Sequence, residues 1–153
     1  MHPEQILKEK YGLELPNPTI PSGFYTPVSQ TGNLLYVSGH TPKLDGRLKF
    51  KGKVGTDLSI EEGQEAARLA AINCLAAIKA YIGDLRKVKK IVHVVGYVRS
   101  ADGFGDQPKV LNGASSLFND LFGESGSHSR AALGSNELPG GAAVEVMCIV
   151  EIC

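Results

Sequence analysis

The chain of 153 residues contains no tryptophan and only three cysteines, Cys74, Cys148 and Cys153. An odd, irregularly spaced set argues against a disulfide framework and fits a reducing compartment. No Cys-x-x-Cys or His-x-x-x-His pair is present, so no metal site is expected. There is no Gly-Lys-Ser/Thr and no Gly-x-Gly-x-x-Gly, which leaves a nucleotide without a phosphate cradle. There is no Gly-x-Ser-x-Gly elbow for a hydrolase serine. No apolar run approaches bilayer length, and Met1–Tyr11 mixes charges without an apolar signal core. Net charge is absent too: 16 basic residues balance 16 acidic ones, so no field steers the chain to nucleic acid or an anionic membrane. The basic run Arg86-Lys87-Val88-Lys89-Lys90 lacks the aromatics that stack bases. The expectation is a cytoplasmic protein with no membrane partner and no nucleic-acid partner.

What is present fits a single domain over 1–153, with 42% hydrophobic and 21% charged residues. Pro3, Pro16, Pro18, Pro21 and Pro27 limit regular structure in the first 30 residues to a short helix at Pro3–Lys10. Leu34–Ser38 reads as a strand entered through Gly32-Asn33, and Asp45-Gly46 signals a hairpin. Ser59 and Glu62 form a capping box that opens a long helix to about Tyr81, closed by Gly83. Val88–Arg99 is the strongest strand, with Val92, Val94 and Val98 expected on one face and His93, Tyr97 and Arg99 on the other. A second helix spans about Gln107–Phe122, with Pro108 in its first turn. Strands around Arg130–Ser135 and Ala142–Ile152 follow. Their link is too short for a helical crossover, so they are expected to be antiparallel neighbours or nearly so.

This order predicts an α+β fold: a mixed or mostly antiparallel sheet with two helices packed on one face. The last strand is apolar on both faces, Met147 and Ile149 on one, Val144, Val146 and Val150 on the other. The helix-free face therefore needs cover from another copy.

Two lone charges in the last strands stand out. Arg130 opens one strand and Glu145 sits between valines in the next. A charge among β-branched residues is costly to bury without a partner, and each is the other's obvious candidate. In a cleft, the Arg would hold a carboxylate and the Glu a water. The plain alternative is a structural ion pair. His128, in a Gly/Ser-rich loop, is a candidate general base or a solvated loop histidine. His40 follows Ser38-Gly39, but no acid is placed to orient it.

These segments together resemble the RidA/YjgF family of reactive-intermediate deaminases. The resemblance rests on Gly32-Asn33-x-x-x-x-Ser38-Gly39-x-x-Pro42, on Val94-x-x-Tyr97-Val98, on Asn112, and on Arg130-x(7)-Leu138-Pro139-x(4)-Val144-Glu145-Val146. It covers roughly residues 22–152 and leaves 1–21 as an N-terminal extension. Leu111–Ser115 and His128-x-Arg130 look like a branch often labelled putative endoribonuclease.

The resemblance implies a chorismate-mutase-like fold and a homotrimer whose sheets form an inner barrel, with ligand clefts between subunits. It implies that Arg130 clamps a substrate carboxylate and Glu145 positions the hydrolytic water. Tyr25, Ser38, Asn112, Ala132 and His128 would line the cleft. The chemistry implied is hydrolysis of an enamine or imine such as 2-aminoacrylate to a 2-keto acid and ammonia. No cofactor is implied, since the imine carbon is already electrophilic. Ala132 departs from the pattern, because archetypal members carry Cys there. A ribonuclease acting on single-stranded RNA and a non-catalytic binder of small carboxylates are the alternatives.

Overall fold

In the computed structural model, which describes residues 1–153, three helices and a five-stranded sheet follow from a few local signals. Helix α1 (Pro3–Tyr11) starts with Pro3 in its first turn, is capped by the His2 ring and stops at Gly12 in the left-handed region. Strands β1 (Val28–Thr31) and β2 (Leu34–His40) form a hairpin through Gly32-Asn33. The strand β1 was not foreseen. A small hairpin, β3 (Lys43–Leu44) and β4 (Arg47–Leu48), turns at Asp45-Gly46. Helix α2 (Ile60–Ile82) opens with the expected reciprocal bonds of Ser59 and Glu62, both 3.1 Å, and ends at Gly83. Strand β5 (Val88–Arg99), helix α3 (Gln107–Phe122), strand β6 (Ser129–Ser135) and strand β7 (Val144–Ile152) complete the chain.

The sheet order is β1-β2-β7-β5-β6. Strand β5 pairs with β6 in parallel and with β7 antiparallel. This corrects the expectation that β6 and β7 are neighbours: β5 lies between them, although they do run in opposite directions. The link from Ser135 to Val144 is short, but it need only step over one strand end. The long apolar β5 thereby takes the sheet interior, paired on both sides.

Strand β5 also departs from strict alternation. Register shifts at Val88/Lys90 and Ile91/His93 break the period, so Val88, Ile91, Val94 and Val98 are buried and Val92 is not. An extra residue in one strand reverses the facing of all that precede it.

Helices α2 and α3 cover one face. They approach closely at Gly113, where any Cβ would collide with the Gln64 backbone. Leu35, Leu75, Leu117, Phe118, Val144, Val146 and Val150 lie in the core between helices and sheet. On the opposite face Tyr36 and Leu133 are about half exposed (47% and 45%), and no element of the chain covers them.

The N-terminal extension is tied in more firmly than its prolines imply. Leu7 of α1 is fully buried in the main core. Glu4 pairs with Lys79 of α2 at 2.7 Å, and Asp120 of α3 receives Lys10 at 2.9 Å and the Tyr11 hydroxyl. Burial, with Asp120 beside it, pushes Tyr11 up to about 12. No helix of the chain is long and apolar enough to cross a membrane.

Candidate active site

The predicted site residues fall into two groups on opposite faces of the sheet. Arg130 lies opposite Val94 of β5, which is fully buried beneath α3. Paired residues share a face, so the guanidinium stands on the helix side of the edge strand. There its NH1 group donates to Asn112 Oδ1 at 2.8 Å and to Ser115 Oγ at 3.2 Å. Ala132, opposite Gly96, shares that face. His128 bonds Ser115 Oγ through Nε2 at 2.9 Å and the Gly126 carbonyl through Nδ1 at 2.6 Å. Its ring meets Phe118 edge-on, with centroids 5.9 Å apart. Three predicted residues, Arg130, Asn112 and His128, thus form one connected group.

Glu145 lies opposite Tyr97, on the helix-free face. Its carboxyl packs against Gly39, where a Cβ would stand 3.0 Å from Cδ. Burial holds its pKa above the ordinary carboxylate value. Ser38 is next to Gly39, and its hydroxyl donates to the Thr26 carbonyl at 2.7 Å, which draws the segment carrying Tyr25 toward β2. Tyr25, Ser38, Gly39 and His40 line a hollow of about 20 Å³. That is room for about one water, not for a substrate. A larger hollow of about 440 Å³ lies beneath Pro16–Ile20 and contains none of the predicted residues.

The expected Arg130–Glu145 pairing within one chain is therefore not formed. The two are on opposite faces, offset along β5 from Val94 to Tyr97, and neither takes part in a salt bridge. The interposition of β5 is the physical reason, since a direct β6–β7 hairpin would have aligned them. Arg130 is held by neutral acceptors only.

His40 is a core histidine. It is buried, its Nδ1 bonds the Ser38 carbonyl at 2.7 Å, and burial lowers its pKa. Cys74 packs beside it, 3.8 Å from Nδ1, and the neighbouring Cys148 together with burial pushes the Cys74 thiol up. Sequence reasoning overlooked Ser115. Its spacing from Asn112 (i, i+3) on a helix was the available signal. No three His, Cys, Asp or Glu side chains gather as a metal site would require.

A family profile described as YjgF/chorismate-mutase-like, putative endoribonuclease, matches residues 7–152. The chain belongs to this family. The YjgF-family match extends into α1, which places the buried Leu7 inside the shared fold. Protein TCP17 of Trypanosoma cruzi is 40% identical over 145 residues, covering 94% of this chain and 91% of its own. The crystal structure of Atu1372 from Agrobacterium tumefaciens is 43% identical, with a TM-score of 0.93 over 99% of this chain and 92% of that one. A structure named as a putative endoribonuclease from Shewanella oneidensis is 36% identical, with a TM-score of 0.95 over 99% and 100% of the two chains. The YjgF/chorismate-mutase-like α+β fold is thereby shown.

Proposed function

We propose that this YjgF-family protein hydrolyses reactive enamines and imines of the 2-aminoacrylate type to 2-keto acids and ammonia. The reaction would take place in clefts shared between subunits of a cytoplasmic homotrimer. The observation that carries the reading is the state of Arg130: its guanidinium is oriented by two neutral oxygens, and no carboxylate of the chain neutralises it. Such a group is ready for a ligand carboxylate, which it can hold through two parallel bonds. Glu145 likewise has no cationic partner, and burial makes it a better proton acceptor than an exposed carboxylate.

The two halves lie on opposite faces of one sheet, so they meet only if the edge strand β6 of one copy approaches the helix-free face of another. The uncovered Tyr36 and Leu133 on that face support such an approach. In the shared cleft, Arg130 of one copy fixes the carboxylate of the imino acid. Glu145 of the next accepts a proton as water adds to the carbon of the protonated imine, giving a neutral carbinolamine. The same carboxyl gives that proton to the nitrogen and takes the hydroxyl proton as the carbonyl forms, so ammonia leaves and the keto acid remains. Tyr25 and Ser38 border the water-sized hollow beside Glu145.

The test is release of keto acid from imino acids generated in situ by an amino-acid oxidase. Wild type accelerates release and Arg130→Ala does not; equal rates for both would refute the proposal. The relatives' names favour a second reading, cleavage of single-stranded RNA. It requires RNA cleavage that co-purifies with the protein, weakens with salt and disappears on replacement of His128.

A further inference from the structure

The hydrogen bonds around Arg130 have a direction that the atoms themselves dictate. The Gly126 carbonyl can only accept, so the 2.6 Å contact to His128 Nδ1 requires the proton on Nδ1. In the neutral ring Nε2 then carries the lone pair, and the Ser115 hydroxyl at 2.9 Å must donate to it. With its hydrogen committed to His128, Ser115 Oγ turns a lone pair to Arg130 NH1 at 3.2 Å. The other NH1 hydrogen goes to Asn112 Oδ1 at 2.8 Å. Both NH1 hydrogens are thus used. Nε and NH2 of Arg130 have no partner in the chain.

We infer that Ser115 and His128 are positioning residues that set which edge of Arg130 receives a carboxylate. A guanidinium offers two forks, one from NH1 and NH2 and one from NH2 and Nε. The Ser115–His128 relay, with Asn112, closes the first and leaves the second. The His128 ring is itself fixed by the Gly126 carbonyl behind it and by the edge of Phe118. The carboxylate is therefore received in one orientation, which fixes where the adjoining C2 atom of a 2-imino or 2-keto acid lies. This inference rests on the carboxylate-clamp reading of Arg130 given above.

Two measurements test it. The first is titration calorimetry with 2-ketobutyrate and with its uncharged methyl ester. Ser115→Ala weakens the acid about tenfold, the order of one charge-assisted bond, and leaves ester binding unchanged. Ser115→Thr, which keeps the hydroxyl, restores acid binding to within about twofold, well inside the span of that one bond. The second is the nitrogen NMR signature of His128, which in the neutral ring reads Nδ1 protonated and Nε2 bare and changes in Ser115→Ala. Alanine suits a helix, so Ser115→Ala is expected to fold. Wild type that turns over imines while Ser115→Ala binds 2-ketobutyrate undiminished overturns the inference and leaves the proposed function standing. A His128 ring protonated on Nε2 alone also overturns it. Wild type that neither binds 2-ketobutyrate nor turns over imines overturns both.

Discussion

Gly39→Ala separates the position of Glu145 from its chemistry. Gly39 does not have a positive φ, so alanine brings no backbone strain. Its only consequence is the new methyl group, placed 3.0 Å from Glu145 Cδ and 3.2 Å from Cγ and Oε1. These contacts are tighter than carbons normally make, so the carboxyl must retreat by a few tenths of an ångström. Glu145 is only half buried and can give way by twisting off its rotamer, at about 0.5–1.5 kcal/mol. For a chain of this size that lowers Tm by only a few degrees, at about 2–4 °C per kcal/mol. The same shift bears on catalysis: a displacement near 1 Å at a reacting group costs about a hundredfold in rate, so a few tenths of an ångström costs about fourfold on that scale. The expected result in the imine-hydrolysis assay is a kcat loss of that order with the fold nearly intact. In a Glu145→Gln background the alanine should add no further loss, since the group it displaces no longer acts. An unchanged kcat, or an equal additional loss in the Gln background, refutes the placement of Glu145 as the proton acceptor.

Leu7→Ala should destabilise the whole protein by about 2–5 kcal/mol in urea unfolding, as for other fully buried leucines; a change below about 1 kcal/mol would mean α1 is not part of the cooperative core. Glu145→Gln should raise Tm at pH 7. The folded carboxyl holds its proton more tightly than the unfolded one, so ionisation costs stability as pH rises through its raised pKa, and the advantage of Gln should vanish below the ordinary value of 4.5. An advantage that persists there would contradict burial as the cause.

Local signals made most of the fold legible. The Ser59–Glu62 box, Pro108 and Gly32-Asn33 each act within a few residues, and each marks the element boundary it predicts. Partner choice between strands was not legible in the same way. The short link after Ser135 is compatible both with a hairpin and with a step over β5, and only the burial demand of β5 decides between them. The same ambiguity misplaced the Arg130–Glu145 pair, which sequence proximity favours and the intervening strand forbids. Val92 was misfaced because a bulge leaves no mark in an alternating run of β-branched residues. Asn112, which the resemblance sets in the cleft, accepts a bond from Arg130. Ser115 was missed because a serine gains meaning only from the ring and the guanidinium that flank it.

The central claim, that each site joins Arg130 of one subunit to Glu145 of another, is tested most directly by mixing two dead subunits. Arg130→Ala and Glu145→Ala are each expected to be inactive alone. Co-expressed in equal amounts, they form mixed assemblies in which random placement unites an intact Arg130 with an intact Glu145 in about one quarter of head-to-tail interfaces. Imine hydrolysis should therefore return to about one quarter of the wild-type rate, by the same head-to-tail arithmetic. Mixed assemblies that form but stay as inactive as their parents would contradict the shared site.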